Sequence, residues 1–366
     1  MSPIVSLIFF ISLLPAPQSD ELSRIIAAQR QQDFIGIWVR EFQHGDTTLS
    51  VERRIWHRHP DQSRIEFLAP EKLRGSALFI AGESVRLAGN RHVRHFGRTA
   101  RGEAPTFAEA LRNAIELDWI RSNYTIETGS GDLLLNRPTL HLRFVPKNPH
   151  RGRLEIWADR DTGILLRTRR FDRRNNWLST SFFREISFIA VDSAAVAIPD
   201  SLKAPEQNRV EVDSFADLGA FIASVSEAFL HPRELPAGFH FRQAKTIHRD
   251  GKKYHHFLYG DGLMTVSLFQ NRGADKPHLR HDKNGRKIAA ETLTLIRGEK
   301  AGITYSLIGE IAEEELQAMA ASLVVVHKGQ SFAGSAFSWW WLFIAGIVIL
   351  LAWGWWRTRS SARRNV

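Results

Sequence analysis

From Phe34 to Phe42 the chain places apolar side chains on both parities: Phe34, Ile35, Ile37, Trp38, Val39 and Phe42. Successive residues of a strand point to opposite faces, so such a segment needs cover on both sides. Upstream, Leu22, Ile25 and Ile26 recur at helical spacing, which predicts a helix from Glu21 to Gln32 capped by Ser19 or Asp20. Downstream, the two-residue period continues through Thr47–His57 and Ser63–Leu68, with turns at His44-Gly45-Asp46 and Pro60-Asp61-Gln62. Short strands are predicted at Ala77–Ile80, Val85–Leu87 and His92–Phe96. A capping box, Thr106 to Glu109, opens a helix toward Trp119. Strands resume at Tyr124–Glu127, Leu133–Leu135 and Leu140–Val145.

The clearest pattern runs from Gly152 to Phe183. Three extended segments are separated by Asp159–Gly163 and by Asp172–Asn176. Aspartate and asparagine close turns through side-chain to backbone bonds, and glycine takes positive φ at little cost. A three-strand antiparallel meander follows, with Ile186–Val191 expected to close the sheet. Pro199, Pro205 and the run Glu206–Arg209 mark a linker. Beyond it, Asp213-Ser214 is read as the cap of a helix carrying Phe215, Leu218, Ile222, Val225 and Phe229. Strands at Phe239–Thr246, Tyr254–Tyr259, Leu263–Phe269, Glu291–Arg297 and Thr304–Ile308 precede a last helix, Ala312–Leu323, with Leu316, Met319 and Leu323 inward.

The ends of the chain read differently. Ile4–Leu14 is an apolar run with the length of a signal-peptide core, so residues 1–19 are taken as a signal-like segment. Ala336–Trp356 is almost wholly apolar, and at ~1.5 Å per residue it covers the ~30 Å hydrocarbon layer. Tryptophans stand at both ends of it, and Arg357, Arg359, Arg363 and Arg364 follow. An aromatic belt and the positive-inside rule place the tail, 357–366, in the cytoplasm and everything before the span outside. The expected organisation is therefore a first domain at 20–195, a linker at 196–213, a smaller domain at 214–327, a spacer at 328–335 and a transmembrane helix at 336–356. A bacterial inner-membrane protein with its bulk in the periplasm fits this layout.

Composition narrows the chemistry. Among 366 residues, 43% are hydrophobic and 24% charged, which suits folded domains. The net charge of +10 favours an acidic partner. With no cysteine there is no disulfide, thiolate metal site or cysteine nucleophile. No GxSxG, P-loop, HExxH or GxGxxG motif occurs in context, so an enzyme is not expected and no cofactor is implied. The histidine pairs His57/His59, His92/His95, His255/His256 and His278/His281 are the remaining option for a metal-dependent hydrolase, and they rank last. Arg151, Arg153, Arg160, Arg167, Arg169, Arg170 and Arg173 cluster, yet no recognition helix carries them, which argues against nucleic acid. Arg167, Arg169 and Arg170 are the candidate patch for an acidic partner. Phe34, Trp38, Phe42, Trp56, Phe67 and Trp157, on doubly apolar strands, are the candidate lining of a lipid cavity.

Several segments in order resemble the MucB/RseB family of periplasmic sigma-E regulators. These are Asp33–Trp38 (DFIGIW), Leu140–Pro146 (LHLRFVP), Leu154–Arg167 (LEIWADRDTGILLR), Leu235–Phe239 (LPAGF), Tyr259–Phe269 (YGDGLMTVSLF) and the closing Ile303–Leu323. The resemblance implies an α+β protein: an open antiparallel β-barrel similar to LolA/LolB-type lipoprotein carriers, with helices in its mouth, and a smaller α/β domain. It also implies binding of the periplasmic part of a membrane anti-sigma factor, protection of that factor from proteolysis, and relief of the protection by a lipidated or acyl-chain ligand. Members of that family are typically soluble in the periplasm, so the apolar segment at 336–356 is a departure. The leading expectation is a non-enzymatic, membrane-anchored regulator; the alternative is a lipid or lipoprotein carrier, or an envelope-assembly factor. Either role is compatible with a homo-oligomer.

Overall fold

The computed structural model describes residues 19–44, 46–82, 84–89, 114–202, 211–249, 252–272, 294–309 and 311–327. Helix α1 (Ser19–Gln31) leads into β1 (Phe34–His44), β2 (Thr47–Arg58), β3 (Gln62–Ala69), β4 (Ala77–Ala81) and β5 (Ser84–Ala88). After α2 (Ala114–Asn123) come β6 (Tyr124–Ser130), β7 (Thr139–Pro146), β8 (Leu154–Asp159), β9 (Leu165–Phe171) and β10 (Trp177–Ser187). These ten strands form one sheet in the order β5-β4-β3-β2-β1-β10-β9-β8-β7-β6. Among the described residues its outermost strands, β5 and β6, do not pair with each other.

Two apolar clusters lie on one face of this sheet, termed the inner face. Trp38, Phe42, Ile55, Ile65, Phe67 and Leu166 belong to the first; Tyr124, Leu142, Phe144, Leu154 and Ile156 belong to the second. Helix α1 bridges them, with Leu22 and Ile25 in one and Ala28 in the other. Gly163 lets it sit close: a Cβ there would lie 2.8 Å from that of Ala28, at a φ of 78°.

The meander of β8, β9 and β10 is as the turn chemistry predicts. The Asp159 carboxylate accepts from the backbone N–H groups of Asp161 and Thr162 at 2.9 and 2.7 Å. Asp172 does the same for Arg174 and Asn176, both at 2.8 Å. Three other expectations give way. Leu133–Leu135 is a turn instead of a strand, because Leu135 and Asn136 take positive φ and Leu134 bonds Arg137 in both directions. Ile186–Val191 is not a separate closing strand. The chain leaves the sheet after Ser187, the Val191 N–H donates to Asp33, and Asp192 caps α3 (Ser193–Val196).

The third lies in the second unit, which contains β11 (Glu211–Phe215), α4 (Leu218–Ser224), β12 (Phe229–Pro232), β13 (His240–Arg249), β14 (Lys252–Gly260) and β15 (Thr265–Arg272). It continues with β16 (Thr294–Lys300), β17 (Ile303–Gly309), α5 (Glu313–Ala321) and β18 (Leu323–Val326). Asp213 and Ser214 belong to β11, and the cap of α4 is Asp217, which accepts from Ala220 N–H at 2.7 Å. Phe229 opens β12 instead of continuing the helix. Six strands form a sheet in the order β11-β13-β14-β15-β17-β16, and β12 pairs with β18. Phe221, Phe257, Tyr259, Leu268, Leu307, Leu316 and Met319 fill the core between sheet and helices.

Several expectations lie outside the described residues: the segment 1–18, the strand His92–Phe96, the capping box Thr106–Glu109, residues 203–210 of the linker, His278/His281, and 328–366 with its apolar run. Among the described residues no helix is long and apolar enough to cross a membrane.

Candidate functional site

Strand register assigns each candidate residue to a face of the ten-stranded sheet. Trp38, Arg40 and Phe42 alternate with Val39 and Glu41, and Trp38 faces Arg53 on β2, which in turn faces Phe67 on β3. Phe34, Trp38, Phe42 and Phe67 thus share the inner face. There the Phe34 ring lies 5.1 Å from His57 and 5.5 Å from Phe183, and Trp38 lies 4.6 Å from Phe183. Arg40 and Arg53 are buried on this face too, at 1% and 4% exposure. His57 completes it, its Nδ1 2.8 Å from Ser63 Oγ. Burial lowers its pKa to about 4, against the pull of Asp33, so the ring is neutral at pH 7.

Trp56 and Trp157 take the opposite, outer face. Trp56 faces Arg64 across β2 and β3, with guanidiniums of Arg54 and Arg64 at 5.9 and 4.8 Å from its ring. Trp157 stacks on His141 at 4.3 Å and carries Arg167 and Arg169 at 5.3 and 5.4 Å. Arginine planes covering an indole supply the second layer that a doubly apolar strand requires. The arginine trio divides for the same reason of alternation: Arg167 and Arg169 lie on the outer face, facing Trp157 and Glu155, whereas Arg170 faces Leu154 on the inner side.

Across β6 to β10 the outer face carries the row Glu127, Arg143, Glu155, Arg169, Thr180. Glu155 is buried and shared, at 3.2 Å from Arg143 Nε and 3.2 Å from Arg153 Nε. Arg143 also reaches Glu127 at 3.1 Å, and Arg167 reaches the exposed Asp132 at 2.9 Å. Arg169 makes no ion pair among the described residues. Cations therefore exceed carboxylates here, around an aromatic floor. Burial lowers the His141 pKa, with Glu155 opposing, so this ring is not a further cation at neutral pH.

The second unit holds a cavity of about 280 Å³ lined by Glu227, His255, Gln270, Asn271 and Ile303, with Lys252, Lys253 and Arg272 beside them. Burial would raise the Glu227 pKa; bonds from Lys253 and the charge of His255 outweigh it and hold the carboxyl at about 2. His256 stacks on Phe269 at 4.1 Å, and His59 pairs with Asp33 at 2.7 Å. Among the described residues no group of three metal-ligating side chains is assembled.

A family model, that of the MucB/RseB N-terminal domain, matches residues 17–207. The Sigma factor AlgU regulatory protein MucB of Pseudomonas aeruginosa is 26% identical over 263 residues, covering 69% of this chain and 74% of that protein. The solved complex of Pseudomonas aeruginosa MucA/MucB aligns with a TM-score of 0.56 at 18% identity, over 84% of this chain and 99% of that one. A structure of MucB in complex with MucA(peri) gives 0.55 at 18% identity, over 84% and 98%. MucB alone gives 0.52 at 20%, over 83% and 96%. At such identities these three likenesses are of fold, and they extend over both sheets.

Proposed function

Because the chain belongs to the MucB/RseB family, we propose that it is a non-enzymatic regulator that binds the periplasmic part of a membrane-spanning anti-sigma factor. The observation carrying this reading is the family match over 17–207, joined to a fold shared with a protein solved in complex with MucA(peri). Binding would shield the partner from proteolysis and hold down a sigma-E-type envelope stress response. An acidic stretch of the partner docks on the outer face, against Arg167 and Arg169 over Trp157, with Arg143 and Arg153 beside them. The inner face, lined by Phe34, Trp38, Phe42 and Phe67, takes an acyl chain of a lipidated envelope ligand, in the manner of a LolA-type half-barrel. Ligand and partner would favour different states of one protein, so each weakens the other. The apolar segment 336–356 would hold the body at the inner membrane and raise the effective concentration of the two proteins.

The test is co-purification and calorimetric titration with the periplasmic segment of a membrane-spanning anti-sigma factor from the same organism. Binding that weakens as salt rises is expected, with a loss of about tenfold or more in the double variant Arg167→Glu/Arg169→Glu. No association at low salt would overturn the reading. The aromatic inner face also favours a second reading, a lipid carrier. Mass spectrometry separates them, since a dedicated carrier comes out of purification loaded with extractable lipid.

A further inference from the structure

The two sheets meet at a cluster of buried charges that belongs to neither proposed binding face. The loop between β7 and β8 is braced by Lys147 N–H on Asn123 O at 2.9 Å and Arg151 N–H on Asn148 O at 3.1 Å. From it Arg151 reaches into the second unit with only 2% of its side chain exposed. Its guanidinium pairs with Glu315 in the first turn of α5, donates to Ala237 O at 3.3 Å and stands 3.5 Å from Asp261 Oδ2. It also covers the Phe239 ring at 4.8 Å.

Asp261 is the matching node. One oxygen closes the turn between β14 and β15 by accepting from Leu263 and Met264 N–H at 2.9 and 2.8 Å. The other accepts from Tyr124 Oη at 2.8 Å. Burial pushes the Tyr124 phenol well above its ordinary pKa, with Asp261 adding to the effect, so it stays a donor. Asn123 Nδ2 donates to the carbonyls of Gly238 and Asp261 at 3.0 and 2.9 Å. Trp119 stacks on His240 at 4.9 Å at the margin.

We infer that Arg151 is a latch: a positioning residue that fixes the six-stranded unit against the ten-stranded sheet and makes the junction open all at once. A buried ion pair loses heavily when one partner is withdrawn, because the charge left behind has no water. Separating the units means hydrating Arg151, Asp261 and Glu315 together, which disfavours a graded hinge. Such a bistable contact is the kind of element through which a ligand on one unit biases contacts made by the other. The latch does not depend on the identity of any partner.

Hydrogen exchange of the full chain tests it, with calorimetry alongside, in wild type, Arg151→Met and Glu315→Gln. In Arg151→Met, amides of 237–240 and 261–264 are expected to exchange about tenfold faster or more. The centre of β13 and β14, 244–247 and 255–257, keeps its wild-type rate. Glu315→Gln, whose site is partly exposed, gives a smaller acceleration of the same segments and decides the matter if Arg151→Met does not fold. Wild type melts in one transition, and Arg151→Met in two. Rates at 261–264 within twofold of wild type in the variants that fold would overturn the latch. So would acceleration spread evenly over the second sheet, or two wild-type transitions that the variants leave in place.

Discussion

Asp33 stands at the head of β1, and its carboxylate ties three segments together. It accepts from His59 N–H at 2.8 Å and faces His59 Nδ1 at 2.7 Å, fixing the turn between β2 and β3. Its second oxygen accepts from Val191 N–H at 2.9 Å, where the chain leaves β10. Burial alone would raise its pKa; these bonds and the nearby imidazole outweigh it and bring the value from 3.8 to about 2. Taken at face value, that difference is worth about 2.5 kcal/mol. Asp33 is 14% exposed and stands in full, but His59 is 59% exposed, so the part owed to the imidazole is screened. On the order of 2 kcal/mol remains.

The substitution Asp33→Asn tests this magnitude. An amide has one acceptor oxygen, so its NH₂ must point at a backbone donor on one of the two sides. A folded-state pKa below the unfolded one means stability that is present above about pH 4 and lost as pH falls through about 2. Urea unfolding followed by circular dichroism, at several pH values from about 7 down to about 2, should therefore show the variant about 2 kcal/mol less stable at neutral pH. The gap should narrow steadily below about pH 4. A variant as stable as wild type at neutral pH, or a gap of constant size down to the acid limit, refutes this account of Asp33.

Three further outcomes rest on the same structure. Phe67→Ala, at 1% exposure opposite Arg53 and in one cluster with Trp38, should destabilise by about 3–5 kcal/mol in urea melts; a loss under ~1 kcal/mol means the inner face is loosely packed there. Gly238→Ala places a Cβ 2.2 Å from Asn123 Oδ1 at a φ of 79°, so a lowered melting temperature and faster exchange of the Asn123 segment are expected, and an unchanged melting temperature would contradict the contact. Glu227→Gln removes the counter-charge of Lys253 at 3.0 Å and of His255 at 3.1 Å. It should lower the His255 pKa in an NMR titration and cost about 1 kcal/mol at neutral pH; an unmoved imidazole would show that the pair is not coupled.

The meander was legible because its turns are written in side chains whose local bonds form wherever the chain bends: Asp159, Gly163 and Asp172 each do what their chemistry allows. The helix Ser19–Gln31 and the buried Leu316 and Met319 were legible for a related reason, since apolar spacing on one helix admits one orientation. Face assignment on the strands was not. In β1 both parities are apolar, and in β8 Trp157 alternates with Ile156 and Ala158, so a period of two cannot say which side is inner. What decides it is packing by residues distant in sequence, α1 on one side and arginines from neighbouring strands on the other. Buried Arg40, Arg53 and Arg151 were hidden for the same cause: a guanidinium reads as solvated until its surroundings exist. At the start of the second unit, Phe215, Leu218 and Val225 suit a helix by spacing, and only pairing of Glu211–Phe215 with β13 makes the first of them part of a strand.

The order of the strands has a consequence for how the molecule comes to be. Strands β2 to β5 and β6 to β9 each join sequence neighbours, so either wing can assemble from hairpins soon after it is made. The seam between them is β1 against β10, which matches Ile35 with Ser187. Closing a loop of that size is slow relative to forming hairpins. Until the last strand emerges, β1 has one open side and so does β9, and both wings present the inner aromatic residues to water. The interval between the synthesis of β9 and the docking of β10 is therefore when this chain is most exposed to mispairing and most in need of shelter.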